Sequence, residues 1–168
     1  MSPASDKFAA AENLVRIFQA QLHDVAGLTS EYQHVASQAI PIGADIWCVV
    51  LRLRGNCNGF AALSLPARLS DQIALSMIER ALEAEFNAAQ LTTDLSRNTV
   101  GELLNMSLGA YFASHNQGRA TFIQSPFYSN TLAEQALFDD MAWHFRLDVS
   151  GGSLFLSCHM GFNPVEGD

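Results

Sequence analysis

Glu102 and Asn105, within the run Gly101-Glu102-Leu103-Leu104-Asn105, place an acid and an amide one helical turn apart. At about 100° per residue, Val100, Leu103, Leu104, Ser107, Leu108 and Tyr111 gather on one face of a helix. Asn98, Glu102, Asn105 and Gly109 gather on the opposite face, a stripe of amides, one acid and a glycine. A solvated helix face ordinarily carries long charged side chains at several such positions. This stripe has neither Lys nor Arg, so it offers a flat surface that another protein could approach closely. Taken alone, the pair is also compatible with plain solvated surface, because short polar spacings recur by chance.

The stripe needs a helix to carry it, and Thr93 or Asp94 is a suitable N-cap for one running to residue 114. A first helix is expected over residues 8–26, with Leu14, Val15, Phe18, Leu22 and Val25 at helical spacing before Gly27. A weak strand over 34–40 stops at Pro41, which cannot donate to a ladder. Residues 45–54 alternate, with Trp47, Val49, Leu51 and Leu53 facing one way. Gly55-Asn56-Cys57-Asn58-Gly59 then turns the chain into a strand over 60–65. Pro66 opens a second helix over 67–87, and the stripe-bearing helix is the third.

Beyond that helix, Gly118 punctuates, a strand over 119–125 ends at Pro126, and a looser stretch over 127–140 holds a helical turn around 132–137. Trp143, Phe145, Leu147 and Val149 alternate with His144, Arg146 and Asp148; Ser150-Gly151-Gly152 turns into Leu154, Leu156, Cys158 and Met160. Residues after Pro164 read as a frayed tail. The order is helix and three strands, a linking helix, then helix and three strands again, a topological duplication. The expected fold class is therefore α/β (α+β): an antiparallel sheet with helices on one face, the second and third packed side by side. A single domain is expected, with an ordered core over about residues 8–161. Aligning the halves on Pro41 and Pro126 sets Ile17 against Glu102 and Ala20 against Asn105, so only the second half carries the pair.

The 168 residues are 49% hydrophobic and 15% charged, which provides ample core and is unlike a disordered chain. A net charge of -8 with scattered arginines and no basic stripe argues against nucleic acid and favours a partner with a basic rim. Cys48, Cys57 and Cys158 are odd in number and lack CxxC spacing, so neither a disulfide framework nor a zinc site is expected. The N-terminus lacks the basic start and apolar stretch of a signal peptide. No run approaches the roughly 20 apolar residues that span a bilayer. A cytoplasmic location and no membrane association are expected.

In context, the helix-borne Glu102 and Asn105, Gly109 shortly after, and a following strand that ends in Pro126 resemble the CheC/CheX/FliY family of chemotaxis phosphatases. The likeness is to its single-motif CheX branch and extends in pattern over residues 8–161, with those four residues as the motif matches. The double-motif branch has Asp or Ser where this chain has Asn98, and a slightly longer interval to the proline. The resemblance implies a phosphatase acting on the aspartyl phosphate of a CheY-like response regulator. It implies that Asn105 enters the regulator's active site and orients the attacking water, while Glu102 pairs with the regulator's Lys. An amide suits its role because it donates and accepts hydrogen bonds without adding charge near phosphate. Gly109 would let the partner's backbone approach, and Asn98 and Phe112 would add contacts. Mg²⁺ would come from the regulator, with no cofactor or metal of the chain's own, and a homodimer is implied by the same likeness.

A non-catalytic docking module of the same fold, reading a regulator or flagellar-switch component, is the main alternative. A sensory domain with a small ligand near Trp47 or Trp143 is a third. Other chemistry is weaker. His144 and His159 could meet as a solvent-facing pair across the last hairpin, without a carboxylate or Cys at ligand spacing. No Gly-x-Ser-x-Gly elbow accompanies the serines.

Overall fold

The computed structural model describes residues 3–115, 120–129 and 142–162. Helix α1 (Pro3–Ala26) leads into strand β1 (Ser30–Val35), the hairpin β2 (Ile46–Gly55) and β3 (Cys57–Pro66), and then helix α2 (Ala67–Leu82). Helix α3 (Thr93–His115) precedes two short strands, β4 (Thr121–Ile123) and β5 (Phe127–Ser129), and the hairpin β6 (Trp143–Val149) and β7 (Gly152–Phe162). The seven strands form one antiparallel sheet in the order β1-β6-β7-β3-β2-β4, with β5 also on the outer edge of β2. The two hairpins meet at β3 and β7, and each half's remaining strands add to the other half's hairpin: β1 to β6, and β4 and β5 to β2. The expected duplication is therefore interlocked rather than side by side.

One face of this sheet carries the expected alternation inward. Trp47, Val49, Leu51 and Leu53 of β2, with Phe145, Leu147, Leu154, Leu156, Cys158 and Met160, share a single core with α1, α2 and α3. All three helices thus cover one face, and α3 packs against both α1 and α2. A buried Ser70–Ser96 hydroxyl contact of 2.7 Å joins α2 to α3. On the opposite face Cys48, Val50 and Ala62 form a smaller cluster with Phe60 and Phe127.

Several boundaries differ from expectation. The first strand lies at Ser30–Val35, not 34–40, because α1 pins it there: Gln19 donates to the Ser30 carbonyl at 2.8 Å and Tyr32 to Glu12 at 2.8 Å. α2 stops at Leu82, short of residue 87, because Glu83 turns left-handed at φ 52°. The Glu83 and Ala84 amides then close back on the Arg80 and Glu79 carbonyls, a Schellman end built without glycine. The cap of α3 is Thr92, whose hydroxyl accepts from the Leu95 amide at 3.2 Å, rather than Thr93 or Asp94. The strand expected over 119–125 is shorter, and residues 127–129 add a strand of their own; the helical turn around 132–137 and Gly118 lie outside the described residues.

None of the three cysteines is disulfide-bonded, and all are buried. Cys57, read from sequence as a turn residue, faces the helix-covered core. Burial pushes the Cys57 thiol up to about 11 and the Cys158 thiol up to about 12. At mildly alkaline pH a thiol-specific chromogenic reagent is expected to leave both unmodified in the native chain and to react fully in urea. As pH rises past the ordinary thiol range, the unfolded chain ionises first, so stability falls with increasing alkalinity. A urea midpoint independent of pH across that range would contradict this.

Candidate functional site

The stripe on α3 stands as its periodicity requires. Val100, Leu103, Leu104, Ser107, Leu108 and Tyr111 are buried against the other helices and the sheet. Asn98, Glu102 and Gly109 are exposed and Asn105 is half-buried. The Asn105 side-chain amide donates to Glu102 Oε2 at 3.3 Å, so acid and amide engage each other across one turn. Leu95, two turns ahead of Glu102, extends the stripe and is 37% exposed.

Facing the stripe is a second wall that sequence reading missed apart from its proline. β4 and β5 both pair with β2 but are separated by Gln124, Ser125 and Pro126. The Gln124 amide still bonds the Arg52 carbonyl at 2.9 Å, whereas Pro126 has no N–H to give, and the strand breaks there. This break and Tyr128 form one side of a cleft of about 390 Å³; Asn98, Gly101, Glu102 and Asn105 form the other. Pro126, distant in sequence, is thus brought to the same cleft as Glu102 and Asn105.

Tyr128 is the least foreseen member, since its segment carried no sequence signal beyond an aromatic in a loose stretch. Its hydroxyl donates to Asn98 Oδ1 at 3.0 Å. Its ring meets Trp47 edge-on at 6.2 Å, and the Arg97 guanidinium lies over the Trp47 ring at 5.6 Å. Burial raises the Tyr128 phenol above its ordinary value, with Arg97 opposing and Glu102 adding to the shift. The phenol therefore remains a hydrogen-bond donor at neutral pH.

Gly109 and Phe112 divide sharply. A Cβ at Gly109 would meet nothing within 4 Å, so internal packing does not call for glycine there. Gly109→Ala is expected to stabilise the chain by about 0.5–1 kcal/mol through helix propensity. The same methyl would obstruct a partner lying on the stripe, so the urea midpoint should rise as binding weakens. Phe112 stands two turns beyond Asn105, beside the stripe, but is not part of its exposed surface. It is 4% exposed and sits edge-on to Tyr111 within the core. Tertiary packing rather than helix period buries the ring, and its burial corrects the expected contact role.

His144 and His159 do not form a solvent-facing pair. His144 is buried, with Nδ1 2.8 Å from Ser157 Oγ, while His159 lies half-buried against the Phe60 ring. Among the described residues, no group of three or more His, Cys, Asp or Glu side chains could hold a metal ion. None of the described helices is long and apolar enough to cross a membrane. In α1, Ile17 packs against the core and Ala20 is a small exposed residue, so the first helix presents no acid-amide pair at the aligned positions.

No sequence-family model matches the chain, and no curated protein matches it. Solved structures do. The fold is CheC-like, shared with CheX, CheC-like and FliY proteins. CheX from the CheX–CheY–BeF3–Mg²⁺ complex of Borrelia burgdorferi superposes with a TM-score of 0.64 at 12% identity, over 89% of this chain and 96% of that one. Thermotoga maritima FliY gives 0.57 at 16% identity, over 94% and 90%. The FliM middle domain of a Vibrio gives 0.57 at 14% identity, over 95% and 94%.

Proposed function

We propose that this chain accelerates hydrolysis of the aspartyl phosphate of a CheY-like response regulator, in chemotaxis or a related two-component pathway. The observation that carries the reading is the Glu102–Asn105 pair, presented on an α3 stripe without long cations, with Pro126 folded beside it. A CheX of the same fold occurs in complex with CheY, BeF3 and Mg²⁺.

An aspartyl phosphate is an acyl phosphate already primed for hydrolysis, so catalysis is mainly a matter of positioning and charge. Water oxygen attacks phosphorus, the bond to the regulator's aspartate breaks, and the carboxylate and inorganic phosphate are released. Mg²⁺ is supplied with the regulator. Glu102 pairs with the regulator's phosphate-binding Lys and sets the docking register. That pairing draws the carboxylate away from Asn105, whose 3.3 Å contact in the unbound chain is at the surface and cheap to break. The amide is then available to orient the attacking water. A homodimer belongs to the same reading.

The test is the lifetime of phosphate on each of the host's response regulators, measured with and without this chain. Shortening for at least one regulator is the expected result; unchanged lifetimes for all of them would sink the proposal. The mutual engagement of Glu102 and Asn105 also fits a docking module that never hydrolyses its partner. Affinity for a phosphorylated regulator without any shortening of its lifetime would establish that alternative.

A further inference from the structure

We propose that Tyr128 is a positioning residue for the docking surface: its hydroxyl fixes Asn98 and ties the strand wall of the cleft to α3. The inference rests on the phosphatase reading above and adds to it the device that holds the two walls in register.

The bond from Tyr128 to Asn98 Oδ1, at 3.0 Å, links residues 30 apart in sequence and is a direct polar tie between the walls. It depends on Gly101. A Cβ there would lie 2.7 Å from the Tyr128 hydroxyl oxygen, but 3.5 Å from the nearest ring carbons. Gly101 is buried in mid-helix, where glycine is otherwise unfavourable, so the space it leaves is space for this hydroxyl. Trp47 braces the ring from the side, edge-on at 6.2 Å. With its oxygen held by Tyr128, Asn98 has its amide NH₂ to offer an acceptor on the partner. It stands one turn before Glu102, on the stripe that the regulator would cover. The consequence is a preformed cleft, and preorganisation lowers the cost of binding without altering the reacting centre.

Steady-state dephosphorylation of a responsive regulator, with thermal unfolding of each variant, tests this. Tyr128→Phe keeps the ring and loses the bond. It is expected to raise KM about five-fold while kcat stays within about two-fold. Gly101→Ala should raise KM similarly and lower Tm, because the new methyl displaces the hydroxyl. Combining it with Tyr128→Phe leaves the methyl at ordinary contact distance from the ring, so Tm should recover while KM stays high. A tyrosine serving stability alone would let KM recover along with Tm. Unchanged KM in Tyr128→Phe, or recovery of KM in the double variant, overturns the inference. If the wild-type chain shortens no regulator's phosphate lifetime, both proposals fall together. If it does and Tyr128→Phe matches it, only the positioning role falls.

Discussion

Asn105→Ala is expected to return the regulator's phosphate lifetime close to its unassisted value, a loss of about 100-fold in acceleration, the scale on which misplacing a reactant is felt. Regulator binding should largely survive, because Glu102, which sets the docking register in the proposed mechanism, is untouched. The substitution is also gentle on the fold. Asn105 is only half-buried, its side-chain amide donates to Glu102 at the surface, and alanine is the better helix former. A dead variant with wild-type stability and near wild-type affinity would therefore isolate the amide's chemistry. Hydrolysis as fast as wild type would remove Asn105 from the mechanism. Asn105→Asp should fail as well, since it sets a second negative charge beside Glu102 and opposite the phosphate.

Gly59→Ala should be the most damaging single-methyl change in the sheet. Gly59 has φ +150°, and a Cβ there would fall 1.9 Å from the His159 carbonyl oxygen. That carbonyl belongs to β7, so the methyl drives apart β3 and β7, where the two halves of the molecule meet. No side chain can rotate away to relieve it. A loss of about 3 kcal/mol or more is expected, combining backbone strain with a broken ladder. For a chain of this size that is a fall of about 6–12 °C in Tm. Gly43→Ala is the matched control, since nothing lies within 4 Å of a Cβ at that position. If the two variants unfold at the same urea concentration, the close approach at the β3–β7 seam is wrong.

Gly59 also shows what the sequence can and cannot reveal. As part of Gly55-Asn56-Cys57-Asn58-Gly59 it reads as turn chemistry, yet it is a strand residue opposite Met160. Local sequence signals a glycine; only the neighbouring strand explains it. The same limit governs the rest. Trp143 to Met160 was legible as a hairpin because its alternation and its turn are local, and α3 was legible because its buried face repeats at 3.6 residues. β1 was displaced because its mixed pattern reports neither the β6 partner nor the α1 side chains that fix its start. Phe112 reads as bordering the stripe because it lies two turns beyond Asn105, yet its ring packs into the core, which only the neighbouring elements decide. Within the site, Glu102, Asn105 and Pro126 were readable as a motif. Tyr128 was not, because its use depends on a glycine in another element.

The interlocking of the halves bears on the order in which this chain can acquire structure during synthesis. Ser30 of β1 pairs with Val149 of β6, so β1 leaves the ribosome long before its ladder partner exists. β2 likewise waits for β4 and β5 to cover its outer edge. Until the last hairpin has emerged, the nascent chain carries an unpaired β1, an open side on β3 and an apolar sheet face that is only partly covered. Such edges are the ones that pair with other chains, and late, long-range closure slows folding. Newly made copies are therefore most exposed to aggregation in the interval before residues 143–162 are complete, and native interlocking removes that exposure in one late step.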